Sequence, residues 1–278
     1  MIVPNILSDF QVKFLKYFEL DPMKYERAGG VAFEDLPEIM RAYSRKVPFE
    51  NLNIIDKTYE EITKKHLTEK IIDRREGGLC YQQNTFFYMF LEECKNLDCW
   101  LVRANVKINS SYTAFNGHVI IILQNNGTKY IVDNGFGQFL ALQPVPITES
   151  TDGDSATIVE SKAGKFRAYK KDAGILGDYW LERIQPLDST TAAYSFSLKK
   201  VGLPEVNETQ QIIINDPEGE FNKVPLYTIL QEDGYVTLTK DSFTHTDKNW
   251  KKTKETFDSS KFNQVLFEKF KLVKNIKC

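Results

Sequence analysis

The chain has 278 residues, enough to bury a substantial core in one large or two ordinary domains. Its 42% hydrophobic and 27% charged residues are typical of a globular protein, and a formal net charge of −2 gives no reason to expect a nucleic-acid partner. No apolar run approaches the ~18–20 residues that cross a bilayer, and the first residues lack the pattern of a secretory signal. We therefore expect a cytoplasmic protein with reduced thiols and no membrane partner.

The first third of the chain carries helical patterns. Hydrophobic residues recur at helical spacing within residues 10–18 and again within residues 36–43. Residues 58–61 ("TYEE") resemble a capping box and predict the start of a helix that continues past residue 70. A further helix is predicted over about 80–96.

After these helices, hydrophobic and polar residues begin to alternate, which indicates β-strands. In "WLVRANVKI" (100–108) hydrophobic residues alternate with mostly polar ones, as in a half-buried strand. Two more strands follow, "HVIIILQ" (118–124) and "KYIVDN" (129–134), and Asn126-Gly127 between them suits a tight primed turn. We expect these two strands to form a β-hairpin.

Strand-like runs continue up to a last helix. The runs are "KFRAY" (165–169), "DYWLERI" (178–184) and "QEDGYVTLT" (231–239), and the third reads as the last hairpin. The closing helix places Phe262 and Phe270 on one hydrophobic face. Helices, then an antiparallel β region, then a smaller mixed segment predict an α+β fold.

The predicted hairpin places a histidine and an aspartate on one face. With Asn126-Gly127 as a two-residue loop, Asp133 lies opposite Ile120, and Gly135 lies opposite His118. His118 and Asp133 are then diagonal neighbours on the same face, within reach of each other's side chains. Gly135 leaves room for the histidine ring. A loop of odd length would destroy this relation.

Cys80, in "EGGLCYQQN", is the candidate nucleophile for this pair. A thiol at a helix N-terminus faces unpaired N–H groups and the positive end of the helix dipole, which favours the thiolate. The two preceding glycines would let the backbone turn sharply. A cysteine can also be a buried structural residue, a metal ligand or half of a disulfide. The scattered histidines and the absence of a CxxC pair predict no metal site, and Cys94 and Cys99 are expected in the core.

Four stretches taken together resemble the arylamine N-acetyltransferase family. They are "RAYSRKVPFENLNI" (41–54), "EGGLCYQQN" (76–84), "GHVIII" (117–122) and "YIVDNGFG" (130–137), in the family's order and spacing. The resemblance covers roughly residues 8–140. It implies that Cys80 is the acetyl-accepting thiol, His118 its base and Asp133 the orienting carboxylate, in a Cys-His-Asp arrangement like that of cysteine proteases.

The resemblance also implies an architecture and a reaction. The expected parts are a helical bundle that carries the nucleophile (1–97), a central antiparallel β-barrel that carries the histidine and aspartate (98–205), and a C-terminal α/β lid (206–278). Members of the family use acetyl-coenzyme A in a ping-pong reaction. The cysteine takes the acetyl group and passes it to an arylamine, a hydrazine or a hydroxylamine.

Further site residues follow from the same resemblance. Phe49 and Phe136 match residues that line the acceptor pocket. Gly117, just before the histidine, and Gly135 match the region that approaches the coenzyme. "TAAYSFSLKK" (191–200) is the nearest match to a serine/threonine-histidine-proline stretch of the family, and its Tyr194 is a further expected contact with the coenzyme.

The chain departs from its relatives next to the nucleophile. Glu76 replaces an arginine before the two glycines, and its charge opposes thiolate formation unless Arg74 or Arg75 neutralises it. Other readings of the same triad are an amide synthase or a thiol acyl-hydrolase. A non-catalytic relative that binds small molecules is a third.

Overall fold

The structure, a computed structural model, describes residues 6–184 and 191–277. Its N-terminal part is helical, as the hydrophobic spacing predicts. The helices are α1 (Asp9–Tyr17), α2 (Pro22–Ala28), α3 (Leu36–Lys46), α4 (Leu52–Ile55), α5 (Lys64–Thr68) and α6 (Cys80–Glu92). Their buried faces share one core, in which the rings of Phe14 and Phe90 stack with centroids 4.0 Å apart. Within the described ranges, no helix is long and apolar enough to cross a membrane.

The helix predicted to start at Thr58 begins later. The N–H of Thr58 donates to Asp56 Oδ1 at 3.1 Å, so this residue closes a local turn instead of capping a helix. The cap of α5 is Thr63, whose side chain accepts a hydrogen bond from the N–H of His66. The chain continues after α5 as one π-helical segment, Glu69–Asp73.

A closed β-barrel follows the helices. Its region contains β2 (Asp98–Ile108), β3 (Ser111–Tyr112), β4 (His118–Asn125), β5 (Thr128–Val132), β6 (Val145–Thr148), β7 (Val159–Ser161), β8 (Gly164–Lys170), β9 (Tyr179–Ile184) and β10 (Ala192–Phe196). The barrel order is β10-β9-β8-β6-β5-β4-β2, and β2 pairs back with β10. The prediction of an antiparallel barrel needs one correction, because β6 and β8 pair in parallel. The chain reaches β8 through β7, which pairs with it outside the closed ring.

Strand β4 separates two hydrophobic cores. Ile120 and Ile122 face the interior of the barrel, whereas Val119, Ile121 and Leu123 face the helices. Burial on both faces explains why the strand reads as a continuous hydrophobic run. The residue at the start of β4, His118, therefore lies where the barrel meets the helical part.

The C-terminal part is an antiparallel sheet with a helix. After α7 (Leu203–Asn215) it contains β11 (Leu226–Gln231), β12 (Gly234–Thr239), β13 (Ser242–Asp247), β14 (Lys252–Thr256) and α8 (Phe262–Phe270). The hairpin predicted as the last one joins β11 to β12, but β13 and β14 extend the sheet beyond it. All five residues of β14 are exposed, so it lacks the alternation by which a strand is recognised.

The N-terminal and C-terminal parts are joined through one short strand. Strand β1 (Phe49–Glu50), from the "VPFEN" segment, pairs with β11 at the edge of the C-terminal sheet. The predicted α+β class, with N-terminal helices, a barrel and a C-terminal sheet with its helix, is confirmed. The predicted boundary after residue 205 falls inside α7, and the three-part division itself stays a prediction.

Candidate active site

The hairpin has the predicted register. Asn125 pairs with Thr128, and Asn126 and Gly127 have φ angles of 48° and 80°, both positive as a type I′ turn requires. This register brings Asp133, just past the end of β5, beside the first residue of β4. The distance from His118 Nε2 to Asp133 Oδ2 is 2.9 Å, and both side chains are buried.

Cys80 completes the cluster from the helical side. It is the first residue of α6, and its Sγ donates to the carbonyl oxygen of Gly117 at 3.5 Å. The charge of Cys80 and a hydrogen bond with it help to raise the pKa of His118, so the sulfur lies beside this ring, whose Nε2 is engaged by Asp133. The thiol therefore faces the other ring nitrogen, Nδ1. The structure thus brings the three residues that the sequence predicts as catalytic into one site.

Asn84 is a site residue that the sequence analysis missed. It lies one helical turn after Cys80 on α6, and its Nδ2 donates to Asp133 Oδ1 at 2.7 Å and to the carbonyl of Val119 at 2.7 Å. Its Oδ1 accepts from the N–H of Asn134 at 2.8 Å. The signal was its spacing of four residues from the cysteine, which places both side chains on one face of the helix.

The environment favours the charged forms of the histidine and the aspartate. Burial lowers the pKa of His118, but the charges of Asp133 and Cys80 and the hydrogen bonds to both outweigh it and raise this pKa to about 10. Burial raises the pKa of Asp133, yet His118, Asn84 and the N–H of Gly135 hold it below its ordinary value. The pair is thus arranged as imidazolium and carboxylate.

The two glycines before Cys80 have a different role from the one predicted. Neither Gly77 nor Gly78 has a positive φ, so the turn does not require glycine. A methyl group on Gly77 would overlap the carbonyl of Pro48, and one on Gly78 would overlap the side chain of Gln82. The glycines instead allow close packing, and the N–H of Gly78 donates to the Pro48 carbonyl at 3.1 Å.

Gly135 is also a site of close packing. A Cβ atom there would lie 2.7 Å from the Cα of Cys80 and 2.9 Å from Asn84 Nδ2. The sequence analysis expected this glycine to leave room for the histidine ring. In the structure the backbone of Cys80 occupies that space instead. At Gly117 a Cβ would lie 2.8 Å from the carbonyl oxygen of Ala114. Coenzyme contacts of Gly117 and Gly135 stay predictions.

The predicted aromatic contacts fall in two places. Phe136 and Tyr194 lie on the barrel side of the histidine, with ring centroids 5.4 Å and 5.1 Å from that of His118. Tyr194 is fully buried, and a contact of its side chain with a coenzyme, which stays a prediction, would need neighbouring residues to move. Phe49 is half-buried and lines a narrow cleft together with Asn134.

Glu76 is neutralised by more groups than expected. It is buried, and the distances from its carboxylate to Lys274 Nζ, Arg74 Nε and Lys70 Nζ are 2.8, 3.3 and 3.6 Å. Burial raises the pKa of Glu76, but these three cations hold it below its ordinary value. The predicted contribution of Arg74 is present, whereas Lys70 and the remote Lys274 were not foreseen.

The arrangement is suited to covalent acyl transfer. A thiol, an imidazole and a carboxylate in series can supply a nucleophile, its base and a group that orients the base. The first backbone N–H groups of a helix have no acceptor within it, so those of Cys80 and Tyr81 could donate to an oxyanion that develops at the start of α6. Within residues 6–184 and 191–277, no group of three or more His, Cys, Asp and Glu side chains could hold a metal ion.

Comparisons with known proteins identify the family of the chain. The N-acetyltransferase family model matches residues 32–277. The chain is 34% identical to probable arylamine N-acetyltransferase 3 of Dictyostelium discoideum, with 96% of this chain and 95% of that protein covered. Its structure is similar to that of the NAT3 arylamine N-acetyltransferase from Bacillus cereus, with a TM-score of 0.84, 36% identity and coverage of 96% of this chain and 100% of that chain.

A more distant structure shares the fold. The Mycobacterium marinum arylamine N-acetyltransferase in complex with CoA is 17% identical, with a TM-score of 0.74 and coverage of 94% of this chain and 92% of that one. The Bacillus cereus protein has a Cys-His-Glu triad, whereas the carboxylate beside His118 here is Asp133. Because the family model matches most of this chain, the chain belongs to the arylamine N-acetyltransferase family.

Proposed function

We propose that this chain is an acetyl-CoA-dependent arylamine N-acetyltransferase in which Cys80 carries the acetyl group between donor and acceptor. The observation that carries the proposal is the series of contacts from Cys80 through His118 to Asp133. The sulfur lies against the histidine ring, and His118 Nε2 lies 2.9 Å from Asp133 Oδ2. Transfer of an acetyl group from one sulfur atom to another requires a thiol and a base, and the imidazole is that base here.

In the first half-reaction His118 begins as the imidazolium, with the proton of the Cys80 thiol held on Nδ1. The sulfur attacks the carbonyl carbon of the acetyl thioester, the bond from this carbon to the sulfur of coenzyme A breaks, and His118 returns the proton to the leaving sulfur. Asp133 accepts a hydrogen bond from Nε2–H, which keeps Nδ1 directed at Cys80. The products are coenzyme A and an acetyl thioester on Cys80.

In the second half-reaction a neutral arylamine attacks the thioester on Cys80. Because the amine is weakly basic and uncharged at neutral pH, it needs no base before the attack. As the tetrahedral intermediate collapses, the bond from carbon to Cys80 Sγ breaks and His118 takes the proton from nitrogen. The N-acetylated amine leaves, and the thiolate and imidazolium are restored.

The remaining parts of the proposal concern ligands and location. Phe49 and Phe136 would contact the aromatic part of an arylamine, and hydrazines and hydroxylamines are further acceptors. The segments at Gly117, Gly135 and Tyr194 would approach coenzyme A, the molecule bound in the Mycobacterium marinum relative. The enzyme would act in the cytoplasm, where thiols stay reduced, on acceptors that include xenobiotic amines.

Mass spectrometry after brief exposure to acetyl-CoA, without acceptor, tests the proposal. We expect one acetyl group on the peptide that contains Cys80, and its loss when an arylamine is added. Cys80→Ala should accept none at this peptide while keeping the circular dichroism spectrum of the wild type. Cys99→Ala, which removes a thiol outside the site, is the matched control and should be acetylated normally.

Each other outcome contradicts the proposal in a recognisable way. Continuous release of coenzyme A without an amine would indicate a thiol acyl-hydrolase. A stable thioester that only non-aromatic amines discharge would indicate an amide synthase. A folded protein that takes no acetyl group on Cys80 would indicate a non-catalytic relative that binds small molecules.

A further inference from the structure

The C-terminal tail after α8 turns one set of side chains inward. In residues 271–277 burial alternates, so that Leu272, Lys274 and Ile276 face the protein while Val273 is 79% exposed. The backbone of Ile276 is held at both its N–H and its carbonyl by the side chain of Asn263, at 2.9 and 2.8 Å. Lys274 is therefore fixed between two anchored neighbours, and its side chain is only 12% exposed.

Lys274 makes the shortest contact to the buried Glu76. Its Nζ lies 2.8 Å from Glu76 Oε1, and the other oxygen, Oε2, is buried without a hydrogen bond. Lys70 lies farther from Glu76, at 3.6 Å, and two of its three N–H donors are taken by Glu50 at 2.7 Å and by Asn53 at 2.8 Å. Without Lys274 the carboxylate would keep only the longer contacts to Lys70 and to the partly exposed Arg74.

Glu76 begins the short loop that ends at the nucleophile. Gly78 in this loop pairs with strand β1: its N–H donates to the carbonyl of Pro48, and its carbonyl accepts from the N–H of Glu50. A Cβ atom on Gly77 would collide with the carbonyl of Pro48, so the loop packs closely against this segment. Glu76 and Gly78 thus hold the loop at two points, four and two residues before Cys80 at the start of α6.

We propose that Lys274 is a positioning residue for Cys80: through its ion pair with Glu76, the C-terminal tail holds the loop that directs the sulfur at His118. The inference rests on the proposed function and deepens it. A carboxylate four residues from the nucleophile would by itself place a negative charge near the sulfur, and Lys274 compensates this charge. The end of the chain is in this way part of the support of the active site.

Single-turnover acetylation of Cys80, followed by rapid-quench mass spectrometry, tests the role. We expect Lys274→Met to lower the rate constant at saturating acetyl-CoA about tenfold, because a small misplacement of a reacting group is costly. The acetyl-CoA concentration for half-maximal rate and the final acetylated fraction should stay those of the wild type. Lys274→Arg, which keeps the charge, should restore the rate.

A matched control comes from the same tail. Lys277 is exposed, and Lys277→Met should behave as the wild type because it removes a lysine that faces away from the protein. A lower acetylated fraction with an unchanged rate constant would mean that Lys274 only supports folding. A higher half-maximal concentration alone would mean that it contacts the coenzyme. Either result, or no change at all, overturns the positioning role.

The dependence on Glu76 is tested by a double-mutant cycle. We expect Lys274→Met to slow acetylation much less in a Glu76→Gln background than in the wild type, because residues in contact have non-additive effects. An equal effect in both backgrounds overturns the role of the ion pair. The double variant removes the Glu76 carboxylate together with Lys274, so neither charge of this ion pair is left unpaired, and it provides the measurement should Lys274→Met alone fail to fold.

Alkylation of Cys80 by iodoacetamide separates this inference from the proposed function, because it requires no coenzyme. Peptide-resolved mass spectrometry should show slower alkylation of Cys80 in Lys274→Met than in the wild type or Lys277→Met. Slower alkylation in a protein that acetyl-CoA does not acetylate would refute the proposed function and keep the positioning role. Equal alkylation in all three proteins would refute the positioning role.

Discussion

Asn84 donates a hydrogen bond from its Nδ2 to Asp133 Oδ1 at 2.7 Å, and so joins the helix of the nucleophile directly to the carboxylate that holds His118. The same amide contacts the backbone of Val119 on β4 and of Asn134 after β5. One fully buried side chain therefore fixes α6 relative to both strands of the hairpin. The relative placement of thiol and imidazole depends on it.

Asn84→Ala should weaken both folding and catalysis. The substitution removes one hydrogen bond to Asp133 Oδ1, which keeps the one from the N–H of Gly135, and it removes those of Asn84 to the Val119 carbonyl and the Asn134 N–H. We expect the free energy of unfolding to fall by about 3 kcal/mol. Acetylation of Cys80 should slow by about tenfold or more, since α6 loses its link to Asp133. Urea denaturation and single-turnover acetylation measure the two effects.

Asn207→Ala is the matched control for this substitution. Asn207 also bridges backbone groups, those of Ile62 and Leu203, but it lies on α7 outside the site. This variant should lose stability and keep the acetylation rate. A normal rate in Asn84→Ala would contradict the role given to the amide.

Gly135→Ala should disrupt the site through a single methyl group. The added Cβ would lie 2.7 Å from the Cα of Cys80, so either the loop after Asp133 or the start of α6 has to move. We expect the acetylation rate to fall about a hundredfold. Gly202→Ala, where the nearest side-chain atom is 3.5 Å from the new Cβ, should have the rate of the wild type.

Substitutions of Phe49 and Phe136, the two residues predicted to contact the acceptor, should have different kinetic effects. Phe49 lines a cleft away from the histidine, so Phe49→Leu should raise KM for an arylamine by about three- to tenfold and leave acetylation of Cys80 unchanged. Phe136 packs on His118, so Phe136→Leu should slow both half-reactions. Steady-state and single-turnover kinetics distinguish the two patterns, and identical behaviour of the variants would contradict this division.

The sequence predicted those features of the site that neighbouring residues along the chain determine. The turn at Asn126-Gly127 sets the register of the hairpin, and the register alone brings His118 and Asp133 together. The helix predicted over about 80–96 is present as α6, although it ends at Glu92. These features need no information from remote parts of the chain.

The sequence could not predict features that depend on a contact with a remote residue or on a choice between two local signals. Nothing around Glu76 indicates that Lys274 neutralises it, because their meeting depends on how the C-terminal tail packs. Thr58 and Thr63 are both acceptable helix caps, and Asp56 decides between them by binding Thr58. The parallel pairing of β6 with β8 likewise depends on how the barrel closes and has no signature in either strand.

The charges at the site predict how stability varies with pH. The pKa of His118 rises from 6.5 to about 10 on folding, so the folded protein holds this proton more tightly than the unfolded chain. The resulting stabilisation is complete below about pH 6.5 and is lost towards about pH 10, with a slope of about 1.4 kcal/mol per pH unit. The pKa of Asp133 is below its ordinary 3.8, so its contribution is present above that pH and is lost in more acidic solution.

Removing the sulfur tests the origin of the histidine shift. Part of the rise in the pKa of His118 comes from Cys80, so Cys80→Ala should lower this pKa below about 10 and leave the contribution of Asp133 in place. The loss of stability with rising pH should then end at a lower pH than in the wild type. Titration of the His118 ring by NMR measures the shift, and Cys99→Ala should not change it. An unchanged pKa in Cys80→Ala would mean that the sulfur carries no charge beside the ring, and the nucleophile would then have to be activated only after the donor binds.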